Sequence, residues 1–307
     1  MVGVLLVVCV FGAVGYILLK TSHAATPYVS AEAESGALST PATTVSDATA
    51  SGGEAVGFAA AAPSDYGGTP GWKVYRTYDL TRDEGWSHTT GVRGTVDSSY
   101  NRKEQTTFSS AGMLITAERA SDTATIYSSD AQARYAVVPN HFALEADINL
   151  GVFLGSGSFP ALWLRPSGSG EGEIDIWEYM GNRIGSSLLW KTTLITTPYG
   201  SAQRQKEKAL PIANAMGMHR WRYEKVQDKV SLWVDGQLLA SITKAELDAS
   251  AGAGKWDAQF ESHGWYVRLT YQIGPPRDGG YNAGGPVPAG WRKSTMLTSR
   301  LVTYVPQ

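Results

Sequence analysis

From Trp72 to the C-terminus, polar and apolar residues alternate with a period of two, the mark of strands that bury one face. Residues 141–150 show it most clearly. Phe142, Leu144, Ala146, Ile148 and Leu150 alternate with His141, Ala143, Glu145, Asp147 and Asn149, which predicts a strand with one wet face. Lys229–Val234 alternates in the same way and runs into Asp235-Gly236, a dipeptide that tolerates the positive φ angles of a two-residue hairpin turn. A second such turn is predicted at Gln227-Asp228. Near the C-terminus Val267, Leu269, Tyr271 and Ile273 are predicted to face a core, with Tyr266, Arg268, Thr270 and Gln272 on the opposite side. Only residues 212–216 and 244–247 carry short helical patterns, and no internal repeat is present. Many strands joined by turns, with almost no helix, predict an all-β fold of two antiparallel sheets packed as a sandwich.

The first 70 residues follow other rules. Residues 1–19 contain no charged side chain and would extend roughly 28 Å as a helix, close to the hydrocarbon thickness of a bilayer. Lys20 follows the run instead of preceding it, while Ser22-His23-Ala24 offers small residues suited to cleavage. Residues 1–24 are therefore a signal peptide or a membrane anchor, and both readings place the rest of the chain outside the cell. Residues 25–70 are rich in Ala, Ser, Thr and Gly, the composition of a linker. Within them, residues 31–58 resemble the opening strands of certain jelly-roll carbohydrate-binding modules but are too few to close a sandwich. Residues 71–307 are left as the folded domain.

Composition narrows the partners. Twenty-six Lys and Arg against 28 Asp and Glu give a formal charge of −2, which excludes a general pull towards nucleic acid. The only cysteine, Cys9, lies in the first apolar run, so the domain holds neither an internal disulfide nor a thiolate zinc cluster. The five histidines, at 23, 88, 141, 219 and 263, show no ligand spacing, and no cofactor is expected. Ten Trp and 15 Tyr supply a wealth of flat apolar faces.

The segment carrying chemistry is Gly172-Glu173-Ile174-Asp175-Ile176-Trp177-Glu178-Tyr179-Met180-Gly181, a strand into which three carboxylates intrude. On a regular strand Glu173 and Asp175 share a face, but Glu178, five positions after Glu173, points the other way. A β-bulge at Ile176-Trp177 spends one residue and returns Glu178 to the face of the other two. Acidic residues also alternate on solvated strands and at calcium sites. A row of like charges nonetheless separates proton affinities, and glycoside hydrolysis needs one ionised carboxylate and one protonated carboxyl. The two glutamate Cα atoms would lie roughly 13 Å apart on the strand. Side chains leaning inward on a concave sheet could bring the carboxyl groups to about 5–5.5 Å, the gap of a retaining mechanism.

This strand resembles that of glycoside hydrolase family 16, in particular its laminarinase-like branch. Phe159-Pro160-Ala161-Leu162-Trp163-Leu164 resembles the preceding strand of that family. Gly112-Met113-Leu114-Ile115, His219-Arg220-Trp221 and Trp233-Val234-Asp235-Gly236 fall in the family's order and spacing. The resemblance implies a concanavalin-like β-jelly-roll sandwich with a concave substrate cleft. It implies Glu173 as nucleophile, Asp175 as its helper, Glu178 as acid/base and Trp163 as the indole that stacks on the sugar. The implied function is a monomeric endo-β-glucanase cleaving β-1,3 or mixed-linked glucan with retention, and it leaves room for structural calcium away from the groove. A galactan hydrolase or transglycosylase, or a glucan-binding lectin, are the alternatives. Departures occur at Thr193-Leu194-Ile195, where many relatives carry Thr-Leu-His, at Thr270-Tyr271-Gln272 in place of Asn-x-Ala, and at Trp177, where methionine is usual. Gln272 reads as either a contact to a sugar hydroxyl or a solvated glutamine. Trp163 has a core reading beside the stacking one, Trp177 is undecided, and Trp256, Trp265 and Trp291 fall near predicted loops as either sugar platforms or turn packing.

Overall fold

The computed structural model describes residues 42–46, 54–58, 71–92, 98–151, 155–168, 173–180, 183–191, 203–210, 217–261, 263–275 and 285–307. The apolar segment 1–24, the helical pattern at 212–216 and Thr193-Leu194-Ile195 lie outside them. Among the described residues no helix is long and apolar enough to cross a membrane. The chain divides into two units, Met1–Ser64 and Asp65–Gln307. In the first, Ala42–Ser46 pairs antiparallel with Glu54–Phe58.

In the second unit the predicted alternation becomes two sheets. Seven strands form one of them, in the order Gln203–Leu210, Arg183–Lys191, Glu173–Met180, Ser158–Pro166, Trp265–Ile273, Asp130–Gln132 and Ser87–His88. The other has eleven. From one edge it runs Gln237–Thr243, Lys229–Val234, Gly217–Val226, Phe142–Gly151, Lys293–Pro306 and Gly112–Glu118. Among the described residues pairing is antiparallel except between the two-residue strands Tyr100–Asn101 and Tyr127–Ser128. The hairpins form where the dipeptides predicted them: Val226 pairs with Lys229 across Gln227 (φ 49°), and Val234 with Gln237 across Asp235 (φ 48°) and Gly236 (φ 79°). The short helical pattern at 244 extends to Lys244–Ala251, because Thr243 and Glu246 close a reciprocal capping box over its first turn.

The core lies between the sheets. Ile174, Ile176, Leu162, Leu164, Val267, Leu269, Tyr271 and Ile273 from the seven-stranded sheet meet Phe142, Leu144, Ala146, Ile148, Trp221 and Tyr223 from the other. The strand Phe142–Gly151 buries its predicted residues, but its outer face is not uniformly wet. Ala143 and Glu145 are also fully buried there. The neighbouring strand Lys293–Pro306 covers them: Arg300 Nη1 donates to Glu145 Oε2 at 2.7 Å and the Tyr304 hydroxyl donates to the same oxygen at 3.2 Å. Alternation fixes side-chain parity, whereas dryness of the outer face depends on what the next strand lays across it.

Candidate active site

The strand Glu173–Met180 is irregular at the position parity demanded. Against the strand Arg183–Lys191, Asp175 pairs with Ser187 and Glu178 with Gly185, so three steps on one strand match two on the other. The opposite neighbour shows the same slip, with Leu162 against Trp177 and Trp163 against Asp175. One extra residue sits between Asp175 and Glu178, which is a β-bulge. Its effect on facing is visible in burial. Ile174, Ile176, Trp177 and Tyr179 belong to the core, while Glu173 and Glu178 are partly exposed and Asp175, on their face, is buried.

Trp177 is therefore a core residue. Its ring stacks on Trp221 of the facing sheet, with centroids 5.4 Å apart and planes at 27°. Trp163 is buried as well but stands outside the core cluster, on the side of the acids. Its indole Nε1 donates to Thr270 Oγ1 at 3.2 Å, and the Arg268 guanidinium carbon lies 3.9 Å from its ring centroid.

Pairing across the strands sets these groups in rows. One row runs Asp175, Trp163, Arg268, Gln132; the next runs Glu178, Ala161, Thr270, Asp130. Arg165 Nη1 donates to Glu173 Oε2 at 3.0 Å. Asp130 is fully buried and bonds both Arg268, whose Nε reaches Oδ1 at 3.2 Å, and Thr89, whose Oγ1 reaches Oδ2 at 2.7 Å. At the sheet edge His88 Nδ1 lies 3.2 Å from Ser129 Oγ, and burial pushes the imidazole below its ordinary pKa. Among the described residues no group of three or more His, Cys, Asp or Glu is arranged to hold a metal ion. A face built this way presents carboxylates to a bound molecule over a dry polar floor, the setting for proton transfer and attack at an electrophilic carbon.

The model of glycosyl hydrolases family 16 matches residues 94–258, more than half of the chain and spanning all three acids. The chain belongs to that family. It is a glycoside hydrolase by membership, and the two-sheet jelly roll is the fold it shares with solved structures. The laminarinase catalytic domain from Thermotoga maritima is 21% identical with a TM-score of 0.60, over 77% of this chain and 99% of that one. The endo-β-1,3-glucanase from Pyrococcus furiosus is 20% identical with a TM-score of 0.61, over 77% and 95%. A family 16 enzyme of the mixed-linkage glucan locus of Bacteroides ovatus, in complex with a G4G4G3G product, is 17% identical with a TM-score of 0.57, over 74% and 99%. Among curated proteins none matches.

Of the residues singled out in the sequence of this family 16 chain, Glu173, Asp175, Glu178, Trp163 and Gln272 all lie on strands of the seven-stranded sheet. Gln272 is buried beside Phe159 in the pairing, so its solvated reading is corrected. Trp256 and Trp265 are fully buried and Trp291 nearly so, which removes all three as exposed platforms. Phe260 packs between Trp256 and Trp265, at 5.0 and 5.8 Å, and Trp291 Nε1 donates to Ser294 Oγ at 2.9 Å. For Trp265 the signal was present, since it shares the parity of Val267, Leu269, Tyr271 and Ile273. Arg165, two positions after Trp163, could have been found the same way. Asp130 and Gln132 could not, because their three-residue strand is too short to show a period.

Proposed function

We propose that the chain is an endo-acting β-glucan hydrolase that cleaves β-1,3 or mixed β-1,3/1,4 bonds with retention of configuration. Glu173 attacks the anomeric carbon, forming a glycosyl ester, while Glu178 gives its proton to the departing oxygen. Glu178 then takes a proton from water, which attacks the same carbon and frees Glu173. Asp175, buried between them in sequence, assists Glu173 and helps keep Glu178 protonated; Trp163 supports the sugar and Gln272 bonds a hydroxyl. The steps use carboxylates alone, and any calcium would be structural. The observation that carries this reading is the extra residue between Asp175 and Glu178, which gives a strand of core residues a set of acids on its other side. Family membership and the glucanase names of the structural neighbours support it. The uncharged run 1–19 supports secretion or a tether on the outer face of the membrane, with the domain acting as a monomer.

The test is substitution followed by product analysis on laminarin, lichenan, agarose and carrageenan. Glu173→Gln should abolish hydrolysis while sparing polysaccharide binding, and Glu178→Ala should be rescued by azide on an activated substrate. Turnover retained by Glu173→Gln would remove the nucleophile assignment. A folded wild-type protein inert on all four polysaccharides would favour a glucan-binding role without chemistry.

A further inference from the structure

We infer that Arg134 forms a subsite for an anionic substituent, a carboxylate or a sulfate ester, on the glycan bound along the acidic face. The inference rests on the hydrolase reading for the location of the groove and goes beyond it in the ligand. Arg134 follows Asp130–Gln132 and extends that strand's pairing: Ala133 N donates to Val267 O at 2.9 Å, and Ala133 belongs to the core. The side chain of Arg134 accordingly falls on the opposite side, with Gln132 and Tyr266. Its Nε donates to Gln132 Oε1 at 2.7 Å, and its guanidinium carbon lies 5.1 Å from the centroid of the Tyr266 ring.

Both supports are themselves held. Gln132 and Tyr266 are buried, and Gln132 Nε2 donates to Thr89 Oγ1 at 2.9 Å and to Asp130 Oδ2 at 3.3 Å. The guanidinium is thus fixed through Nε and one flat face while both terminal nitrogens remain available. Pairing places Tyr266 opposite Arg165, the partner of Glu173, so the fork lies in the row of the proposed nucleophile. Three strand spacings, about 14 Å, separate the strand of Glu173 from the extended strand that carries Arg134, a reach of a short oligosaccharide.

Charge decides the ligand class. Two arginines described on this face are matched to carboxylates: Arg165 to Glu173 and Arg268 to Asp130. Arg134 is exposed, and among the described residues no carboxylate pairs with it. A pre-organised arginine fork with two free nitrogens, in a place where its neighbours are already neutralised, fits an oxyanion in bidentate geometry better than it fits a neutral hydroxyl.

The test measures kcat/KM on neutral laminarin, on laminarin oxidised at C6 to glucuronate, and on laminarin sulfate, at low and high salt. Binding calorimetry on the same three glycans runs in parallel and needs no turnover. The wild type should prefer an anionic glycan, and salt should erode the preference. Arg134→Gln should lower the anionic-to-neutral ratio about 10-fold to 100-fold. Arg134→Lys, which keeps a point charge without the fork, should fall between them. Response to the glucuronate alone or to the sulfate alone identifies the source of the oxyanion. An unchanged ratio in Arg134→Gln, with the thermal midpoint unaltered, overturns the subsite. If no glycan is cleaved, the hydrolase reading fails, and calorimetry still decides: Arg134-dependent anionic binding supports the subsite, and its lack overturns it.

Discussion

Replacing Arg268 with methionine tests whether the polar floor beneath Trp163 is held together by charge. The Asp130 side chain is fully buried and that of Arg268 is 10% exposed, so neither partner is screened by bulk water. Methionine keeps much of the apolar stem and removes the guanidinium. Asp130 then keeps the Thr89 hydroxyl at 2.7 Å and the Gln132 amide at 3.3 Å, both neutral donors. Breaking one side of a buried ion pair costs about 3–5 kcal/mol, since the remaining charge stays desolvated and has lost its counter-charge. In a domain the size of Asp65–Gln307, that loss corresponds to a fall of about 6–20 °C in Tm. The companion Asp130→Asn, Arg268→Met double variant removes both charges and should recover most of it, with a coupling of about 2 kcal/mol or more. Urea unfolding of the wild type, the two single variants and the double variant closes the cycle. In the kinetics, Arg268→Met should raise KM more than it lowers kcat, because the indole loses the guanidinium 3.9 Å from its ring while the acids keep their strand. A single-variant loss below about 1 kcal/mol, or a double variant no more stable than Arg268→Met, would refute the argument that this pair is a desolvated, mutually dependent unit.

Two further outcomes follow from other parts of the domain. His88 has its pKa lowered, first by burial and then by the ammonium of Lys103, so on acidification the unfolded chain takes up this proton before the folded one does. Its contribution to stability is present above about pH 6.5 and is lost as pH falls below that value. His88→Gln should therefore lose less stability than the wild type between about pH 7.5 and about pH 5, read as the urea midpoint; equal losses would refute it. Gly112 has φ +122°, and a Cβ there would lie 2.2 Å from the Thr298 carbonyl oxygen and 2.8 Å from Ser299 Cα, both backbone atoms. Gly112→Ala should cost at least about 2 kcal/mol in urea unfolding, and a change within about 0.5 kcal/mol would show that the two strands separate freely.

Much of this domain was legible because burial on one side of a strand enforces parity. Phe142 to Leu150, the two hairpin turns and the inward set Val267 to Ile273 needed no knowledge of neighbours. The bulge was legible for a related reason: three acids and four core residues can be sorted onto two faces of one strand only if a residue is spent between Asp175 and Glu178. Trp177 shows the limit. Parity counted from Glu173 places it on the face of Glu173 and Asp175, and the bulge that re-aims Glu178 is what leaves the indole inside, stacked on Trp221.

The face opposite the core was harder to read, because sequence gives polarity but not dryness. Tyr266, Arg268, Thr270 and Gln272 alternate with core residues as a wet face would, yet all nine residues of Trp265–Ile273 are buried. A strand dry on both sides ordinarily reads as an apolar run. Here it stays polar because partners from other strands satisfy it: Asp130 meets Arg268, and Thr270 receives the Trp163 indole. Those partners lie far away in sequence, and the strand supplying Asp130 is three residues long, so no local pattern announces them. A solvated face would gain nothing from such matching, since water serves its groups individually. Matched charges in a dry floor instead hold donors and acceptors in fixed orientation before any ligand arrives, which lowers the reorganisation needed when charge develops at a reacting centre. The same logic isolates Arg134. Where the fold has assigned an anion to Arg165 and to Arg268, Arg134, held in place with no carboxylate partner among the described residues, is the group whose partner must come from outside.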